Sequence, residues 1–228
     1  MTNQKQPPTN GRPLPRAKVI CLTNGAFQEN CYILADEDAG VAVLIDPGED
    51  VELFLSRLQT ENFRLEAIWL THAHVDHIAG VKGVVDRTGV PIHLPPDERV
   101  LYDRATEQAA WLGVRIDAPP PPDHEIHHGD TLTIGGLSFE ARAVPGHSPG
   151  AVAFVGYGVA IVGDALFAGS IGRTDLPGGD LQTLLSAIRE QLLTLPDETI
   201  VFPGHGPETT IGVERGSNPF LTGAARLV

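Results

Sequence analysis

Thr71-His72-Ala73-His74-Val75-Asp76-His77 follows directly on the largely apolar run Leu65-Glu66-Ala67-Ile68-Trp69-Leu70. Such a run ending in three imidazoles and a carboxylate reads as a strand that delivers ligands to its carboxyl end. Imidazole nitrogens and carboxylate oxygens suit divalent first-row metals, Zn²⁺ above all. His72 and His74 stand two apart, so in extended backbone both side chains project to one side and can share an ion. Asp76 and His77 fall where the pattern changes. Ile78, Val81, Val84 and Val85 recur at helical spacing as far as Gly89, a residue suited to a left-handed helix cap. The ligand turn is therefore expected between a strand and a helix.

Three further positions of the same kind lie downstream. His147 sits in Pro145-Gly146-His147-Ser148-Pro149-Gly150, Asp164 in Val162-Gly163-Asp164, and His205 in Phe202-Pro203-Gly204-His205-Gly206. Each occupies a Gly- or Pro-marked turn after or between apolar runs. A single His-rich motif carries a real false-positive risk, and its recurrence at separate turns lowers that risk.

Working outward, residues 17–22, 31–35 and 41–45 read as short strands, and Asp46-Pro47-Gly48 breaks the third. Asp50 is placed to cap a helix whose face is Val51, Phe54, Leu55 and Leu58. A strand at 90–94 and a helix from Pro96 to Leu112 follow, then a stiff spacer at Pro119 to Pro122. The second half is patterned like the first, with strands at 131–134, 137–144, 151–155 and 159–162, then a helix capped by Asp180 with Leu181, Leu184, Leu185, Ile188 and Leu192 on one face. The strand at 199–202 delivers His205. Two β-rich halves with helices outside imply two sheets packed face to face. Residues 1–16 carry Pro7, Pro8, Pro13 and Pro15 among polar residues and are expected as a flexible tail, leaving 17–228 as a single domain.

The chain has 228 residues, 42% hydrophobic and 20% charged, enough to bury a core without staples. Its net charge of -13, from 16 basic and 29 acidic residues, argues against a nucleic-acid partner, which needs clustered Lys and Arg. No apolar stretch reaches the roughly 18 residues of a membrane span, and the start has no apolar signal core. No membrane association and a cytoplasmic location are expected. Cys21 and Cys31 lack CxxC spacing and read as buried free thiols. His93, His124, His127 and His128 read as ordinary core or solvated residues. Nothing in the sequence sets an oligomeric state.

The opening motif, the spaced His147, Asp164 and His205, and Gly169-Ser170-Ile171-Gly172-Arg173-Thr174-Asp175 together resemble the metallo-β-lactamase-fold superfamily, and within it the short glyoxalase II-like (hydroxyacylglutathione hydrolase-like) branch. The resemblance covers roughly residues 18–221 and implies an α+β, four-layer αββα sandwich of two mixed sheets flanked by helices. It also implies two divalent metal ions, Zn most readily, with Fe or Mn as options. One is held by His72, His74 and His147, the other by Asp76, His77 and His205, and Asp164 bridges the two. Asp76 and Asp164 thereby act in catalysis, a metal-activated water attacking the carbonyl of a small-molecule acyl-thiol such as S-2-hydroxyacylglutathione. Arg173 is similar in position to a basic residue that contacts the thiol carrier, and Asp175 is its alternative, structural partner.

Two departures from glyoxalase II stand out. Only 23 residues follow His205, so the helical carboxyl-terminal domain that grips glutathione is expected to be absent. Gly206-Pro207 also stands where those enzymes carry an aromatic. Rival readings are a mononuclear-iron persulfide dioxygenase using His72, His147 and Asp164, a lactone or β-lactam hydrolase, and a non-catalytic metal-stabilised binding domain.

Overall fold

A computed structural model of the chain describes residues 17–225. The expected tail, residues 1–16, lies outside them. Strand β1 (Ala17–Asn24) pairs antiparallel with β2 (Glu29–Asp36), and β2 with β3 (Val41–Ile45). Helix α1 (Val51–Thr60) begins where expected: the Asp50 carboxylate accepts the Leu53 N–H at 3.1 Å. It crosses over to β4 (Arg64–Trp69), which lies parallel to β3. The ligand turn follows, then α2 (Val75–Ile78) and α3 (Val81–Thr88), closed by Gly89 at φ 68°. Strand β5 (Ile92–Leu94) adds parallel to β4, and a 3-10 turn, Pro96–Glu98, opens the next segment.

The single helix expected from Pro96 to Leu112 is instead that turn followed by α4 (Arg99–Asp103) and α5 (Ala105–Trp111). Helical backbone gives way at Arg104, and Tyr102 and Ala105, on either side of the break, both bury against the first sheet. The two-residue β6 (His124–Glu125), which periodicity is too short to reveal, pairs parallel with β5.

The second sheet uses β7 (Thr131–Ile134), β8 (Leu137–Ala143), β9 (Val152–Gly156) and β10 (Val159–Gly163) as an antiparallel series. A small hairpin, β11 (Leu166–Phe167) with β12 (Ser170–Ile171), leads to α6 (Leu181–Ala187), capped by Asp180 and extended by a π-helical turn at Ile188–Leu192. Strand β13 (Ile200–Pro203) joins β10 in parallel, and β14 (Thr209–Thr210), α7 (Ile211–Ser217) and α8 (Pro219–Thr222) finish the described chain. Thr210 caps α7, so the run after His205 serves helix capping as expected.

Both six-stranded sheets are mixed, in the orders β1-β2-β3-β4-β5-β6 and β14-β13-β10-β9-β8-β7. Their inner faces meet through Tyr32, Val43 and Trp69 on one side and Phe139, Phe154 and Ile161 on the other. The outer face of the first sheet packs on α1, α3 and the α4–α5 segment, that of the second on α6 and α7. Three apolar layers therefore separate four structural layers, the expected αββα sandwich. Cys31 is buried and free, whereas Cys21 is exposed, contrary to expectation; successive β1 residues face opposite sides, and Ile20 and Leu22 take the inward positions. Among the described residues no helix is long and apolar enough to cross a membrane.

Trp69 is 2% exposed and packs at 5.3 Å from Phe154 and 6.4 Å from Phe139. Trp69→Ala is expected to cost about 3–5 kcal/mol of unfolding free energy, measured by denaturant titration; a loss under about 1 kcal/mol would show that this layer repacks around the gap.

Candidate metal centre

Parallel pairing brings the donors together. The parallel strands β3 and β4 end at the same edge, and so do β10 and β13, where Gly163 is opposite Pro203. Asp46 and the ligand turn leave the first pair; Asp164 and His205 leave the second. His147 comes from the loop between β8 and β9. The two edges are stitched across the sandwich: Asn30 N–H donates to Gly204 O at 2.8 Å, the Tyr32 hydroxyl to Pro203 O at 2.6 Å, and Val152 N–H to Thr71 O at 2.9 Å.

All seven expected ligands converge there. His72, His74 and His147 offer nitrogens within 4.8 Å of one another, and Asp76, His77 and His205 form a second such group. Asp164 lies between the groups, with Oδ2 at 3.4 Å from His147 Nε2 and 3.6 Å from His205 Nε2, and Oδ1 at 3.5 Å from His77 Nε2. Asp76 Oδ2 stands 3.2 Å from His205 Nε2.

Hydrogen bonds on the far side of each ring select which nitrogen faces the centre. The Thr71 hydroxyl donates to Asp46 Oδ2 at 2.5 Å, so its oxygen accepts from His72 Nδ1, 3.0 Å away, and frees His72 Nε2. His77 Nδ1 donates to Asp46 Oδ2 at 3.1 Å, and His147 Nδ1 to the Arg173 carbonyl at 2.8 Å. Asp46 also accepts the Thr71 N–H at 2.7 Å. It is buried at φ 52°, a conformation that Asp tolerates better than most residues. In sequence Asp46 reads only as a strand breaker; its burial and the side chain it orients 31 positions away leave no local trace.

These residues fit a metal pair. His72 Nε2, His77 Nε2 and Asp164 Oδ1 are buried without a hydrogen-bond partner in the protein, and native interiors seldom leave such atoms unsatisfied. His74 Nδ1 and His147 Nε2 approach to 2.8 Å, which requires a shared proton or a cation between them. Gly204 adjoins His205 so closely that a Cβ there would collide with Asp164 Oδ1 and His77 Cε1. The donors are those of Zn²⁺ and related first-row ions.

Electrostatically the two groups differ. Burial, reinforced by neighbouring imidazoles, holds His72 well below the ordinary imidazole range and His74 at about 4. Burial also disfavours protonation of His77, but Asp164 and Asp76 outweigh it and raise that residue well above the ordinary value. His205 is raised too, burial being outweighed by its bond to Asp76 and by Asp164. For Asp164 burial favours the neutral acid, and the His77 charge reverses this.

A cavity of about 690 Å³ opens onto this centre. His74, Asp76, His147, Asp164 and His205 form part of its lining, and Arg173 borders it. The Arg173 side chain makes a two-pronged bond to Asp175, at 2.7 and 2.8 Å, which bears out the structural partner anticipated for it. Segment α5 supplies a wall that sequence reading did not anticipate: Arg104, Gln108, Trp111 and Leu112 line the cavity, with Trp111 74% exposed. The residues of the Pro-rich spacer do not line it. His124, His127 and His128 are exposed, as anticipated.

The sequence profile of the Metallo-beta-lactamase superfamily matches residues 24–205. The chain belongs to this superfamily. Hydroxyacylglutathione hydrolase GloC of Haemophilus influenzae is 40% identical over 200 residues, covering 86% of this chain and 94% of that protein. Among solved structures, the BLEG-1 B3 metallo-beta-lactamase superposes with a TM-score of 0.84 at 43% identity, over 90% of this chain and 100% of that one. TTHA1623, solved in a di-iron-bound form, gives 0.81 at 42% identity, over 89% and 100%. This metallo-β-lactamase-superfamily chain accordingly carries the fold and donor cluster of a divalent-metal-dependent hydrolase.

Coordination requires a neutral imidazole, and His77 and His205 have raised values while His72, His74 and His147 are lowered. Burial therefore favours the neutral, coordinating form in the first group, whereas the carboxylates beside His77 and His205 favour the protonated form in the second, where an incoming ion competes with protons more strongly. Adding Zn²⁺ to chelator-stripped protein is expected to release protons mainly with the ion that occupies Asp76, His77 and His205. Calorimetry in two buffers of different ionisation enthalpy measures this; identical heats would count against it.

Proposed function

We propose that the chain is a metal-dependent hydrolase of thioesters such as S-2-hydroxyacylglutathione, placed in the cytoplasm. The observation that carries this reading is the pair of donor groups sharing Asp164 at the end of one cavity. Two divalent ions held by His72, His74 and His147 and by Asp76, His77 and His205 would supply a Lewis acid for a carbonyl oxygen and bring the pKa of water from about 15.7 to about 7. Zn²⁺ is the ion proposed, and Fe is the alternative favoured by the di-iron form of TTHA1623.

The chain's own residues do the rest. Asp46, Thr71 and the Arg173 carbonyl fix the ring orientations before substrate arrives, so no reorganisation is needed during reaction. Asp164 and Asp76 offset the positive charge of the centre without cancelling it. Because a thiolate leaves readily, no strong protein acid is demanded. The cavity wall offers surface for the carrier: Trp111, Leu112 and Phe27 for its apolar parts, Arg104 and Arg173 for its carboxylates. Phe167, 6.3 Å from the His205 ring, supplies aromatic surface although Gly206-Pro207 follows that histidine.

The likeness to BLEG-1 favours β-lactam hydrolysis as a second reading. Metal analysis of the purified protein, coupled to a panel of acyl-thiol, lactone, β-lactam and persulfide substrates, separates these. Thioester turnover well above the others is expected; oxygen uptake with a persulfide and no thioester hydrolysis would replace this reading with a dioxygenase.

Asp164→Ala is expected to lower bound metal and reduce thioester turnover by at least about a thousandfold, since both ions lose a shared ligand. Full metal content with intact turnover in this variant would remove the bridging role. Arg173→Ala is expected to raise KM about tenfold for thioesters of anionic carriers with little change in kcat. Steady-state kinetics on anionic and neutral carriers read this out, and an unchanged KM would leave Arg173 only its bond to Asp175.

A further inference from the structure

Glu98 ends the 3-10 turn before α4, where an acidic residue has an ordinary reading as a complement to the positive end of a helix. Its surroundings differ from that reading. The side chain is fully buried, at 0% exposure, and its two oxygens reach different loops. One accepts the Ala73 N–H at 2.9 Å, the other the Gly150 N–H at 2.6 Å. Ala73 is the residue between His72 and His74; Gly150 closes the loop that carries His147. A single carboxylate thus joins the backbones that hold all three members of one donor group. No comparable bond runs from it to the segments carrying Asp76, His77 or His205.

Two further contacts reinforce the arrangement. The Gln108 side chain donates to the Ala73 carbonyl at 3.0 Å, so both backbone polar groups of Ala73 are held by side chains of the 98–108 segment. Gly150 lies so close to the turn that a Cβ would stand 2.8 Å from Asp97 Cβ and 3.0 Å from Glu98 N. The loop is pressed onto the carboxylate. Burying a carboxylate is costly unless its oxygens are bonded, and an apolar side chain could fill the same space without tying two loops in register.

We infer that Glu98 is a positioning residue for one metal site only: it sets the separation of the His72–His74 strap from the His147 loop, and so governs the affinity of that trio without governing its neighbour. This rests on the two-ion reading above. Groups hydrogen-bonded directly to metal ligands typically contribute about 10–100-fold in metal affinity, and Glu98, which holds the backbone beside three of them, is expected to act within that range. Gln at position 98 keeps one acceptor but turns an NH₂ toward the second N–H, so at most one of the two bonds survives.

The test is a Zn²⁺ titration of the full-length, chelator-stripped protein against a chromophoric chelator, for the native chain, Glu98→Gln and Gly150→Ala, with the melting temperature of each stripped protein recorded. Two ions are expected for the native chain. In both variants one affinity falls about 10–100-fold while the other stays within about threefold. Gly150→Ala retains the carboxylate and keeps the question answerable if Glu98→Gln does not fold. Equal weakening of both ions with a lowered melting temperature would overturn the proposal in favour of a general packing role, as would affinities unchanged in both variants. The native titration judges the two-ion reading separately: a single ion there sinks that reading, and Glu98 then stands or falls on whether that ion's affinity drops at least tenfold in the variants.

Discussion

Five imidazoles and two carboxylates crowded into one largely buried corner would push apart or take up protons unless positive charge sat among them. Every other feature of the site answers that constraint. Asp46 and Thr71 turn the free lone pairs of His72 and His77 inward, the Arg173 carbonyl does so for His147, and Gly204 leaves room for Asp164. The corner is tolerable because a divalent ion can settle in it, and it is specific because hydrogen bonds outside the ring of ligands fix each donor.

The sandwich makes such a corner affordable in conformational terms. The donors arise at ends of well-packed strands or in loops pinned across the two sheets, so their order comes largely with the folding of three apolar layers. Ligand binding at the carboxyl ends of parallel strands is a general tendency of mixed sheets with helical crossovers. Here two such ends, one per sheet, face each other, and the antiparallel remainder of each sheet supplies the span that separates the catalytic edge from the opposite rim.

Electrostatic inequality between the two donor groups gives the site an internal order. Burial favours the neutral form of the trio His72, His74 and His147, whereas Asp76 and Asp164 shift His77 and His205 toward the protonated form. Protons therefore compete with an ion more strongly at the second place than at the first. Family membership and the cavity wall built by α5 then frame the chemistry, with Trp111 and Arg104 lining the same cavity as the donors.

Local pattern was enough to mark the seven donor positions as turns at strand ends, the caps at Asp50 and Asp180, the crossover helix before the ligand turn and the longer strands of both sheets, because periodicity and Gly and Pro punctuation are written within a few residues; the gathering of the seven around two ions came from the family resemblance. Local pattern was not enough for Asp46, Glu98 or the α5 wall. Asp46 has a sufficient local reading as a strand breaker and Glu98 as an acid at a helix start, yet each acts on groups 25 or more positions away. The two-residue strands β6, β11 and β12 carry too little periodicity to be seen, and the break at Arg104 falls inside a run with no Gly or Pro to mark it. Chain order thus determined which atoms could bind metal; only the closing of one sheet onto the other decided which nitrogen of each ring is free, how far apart the two loops stand and what surrounds the mouth, since those are distances between segments that no local pattern encodes.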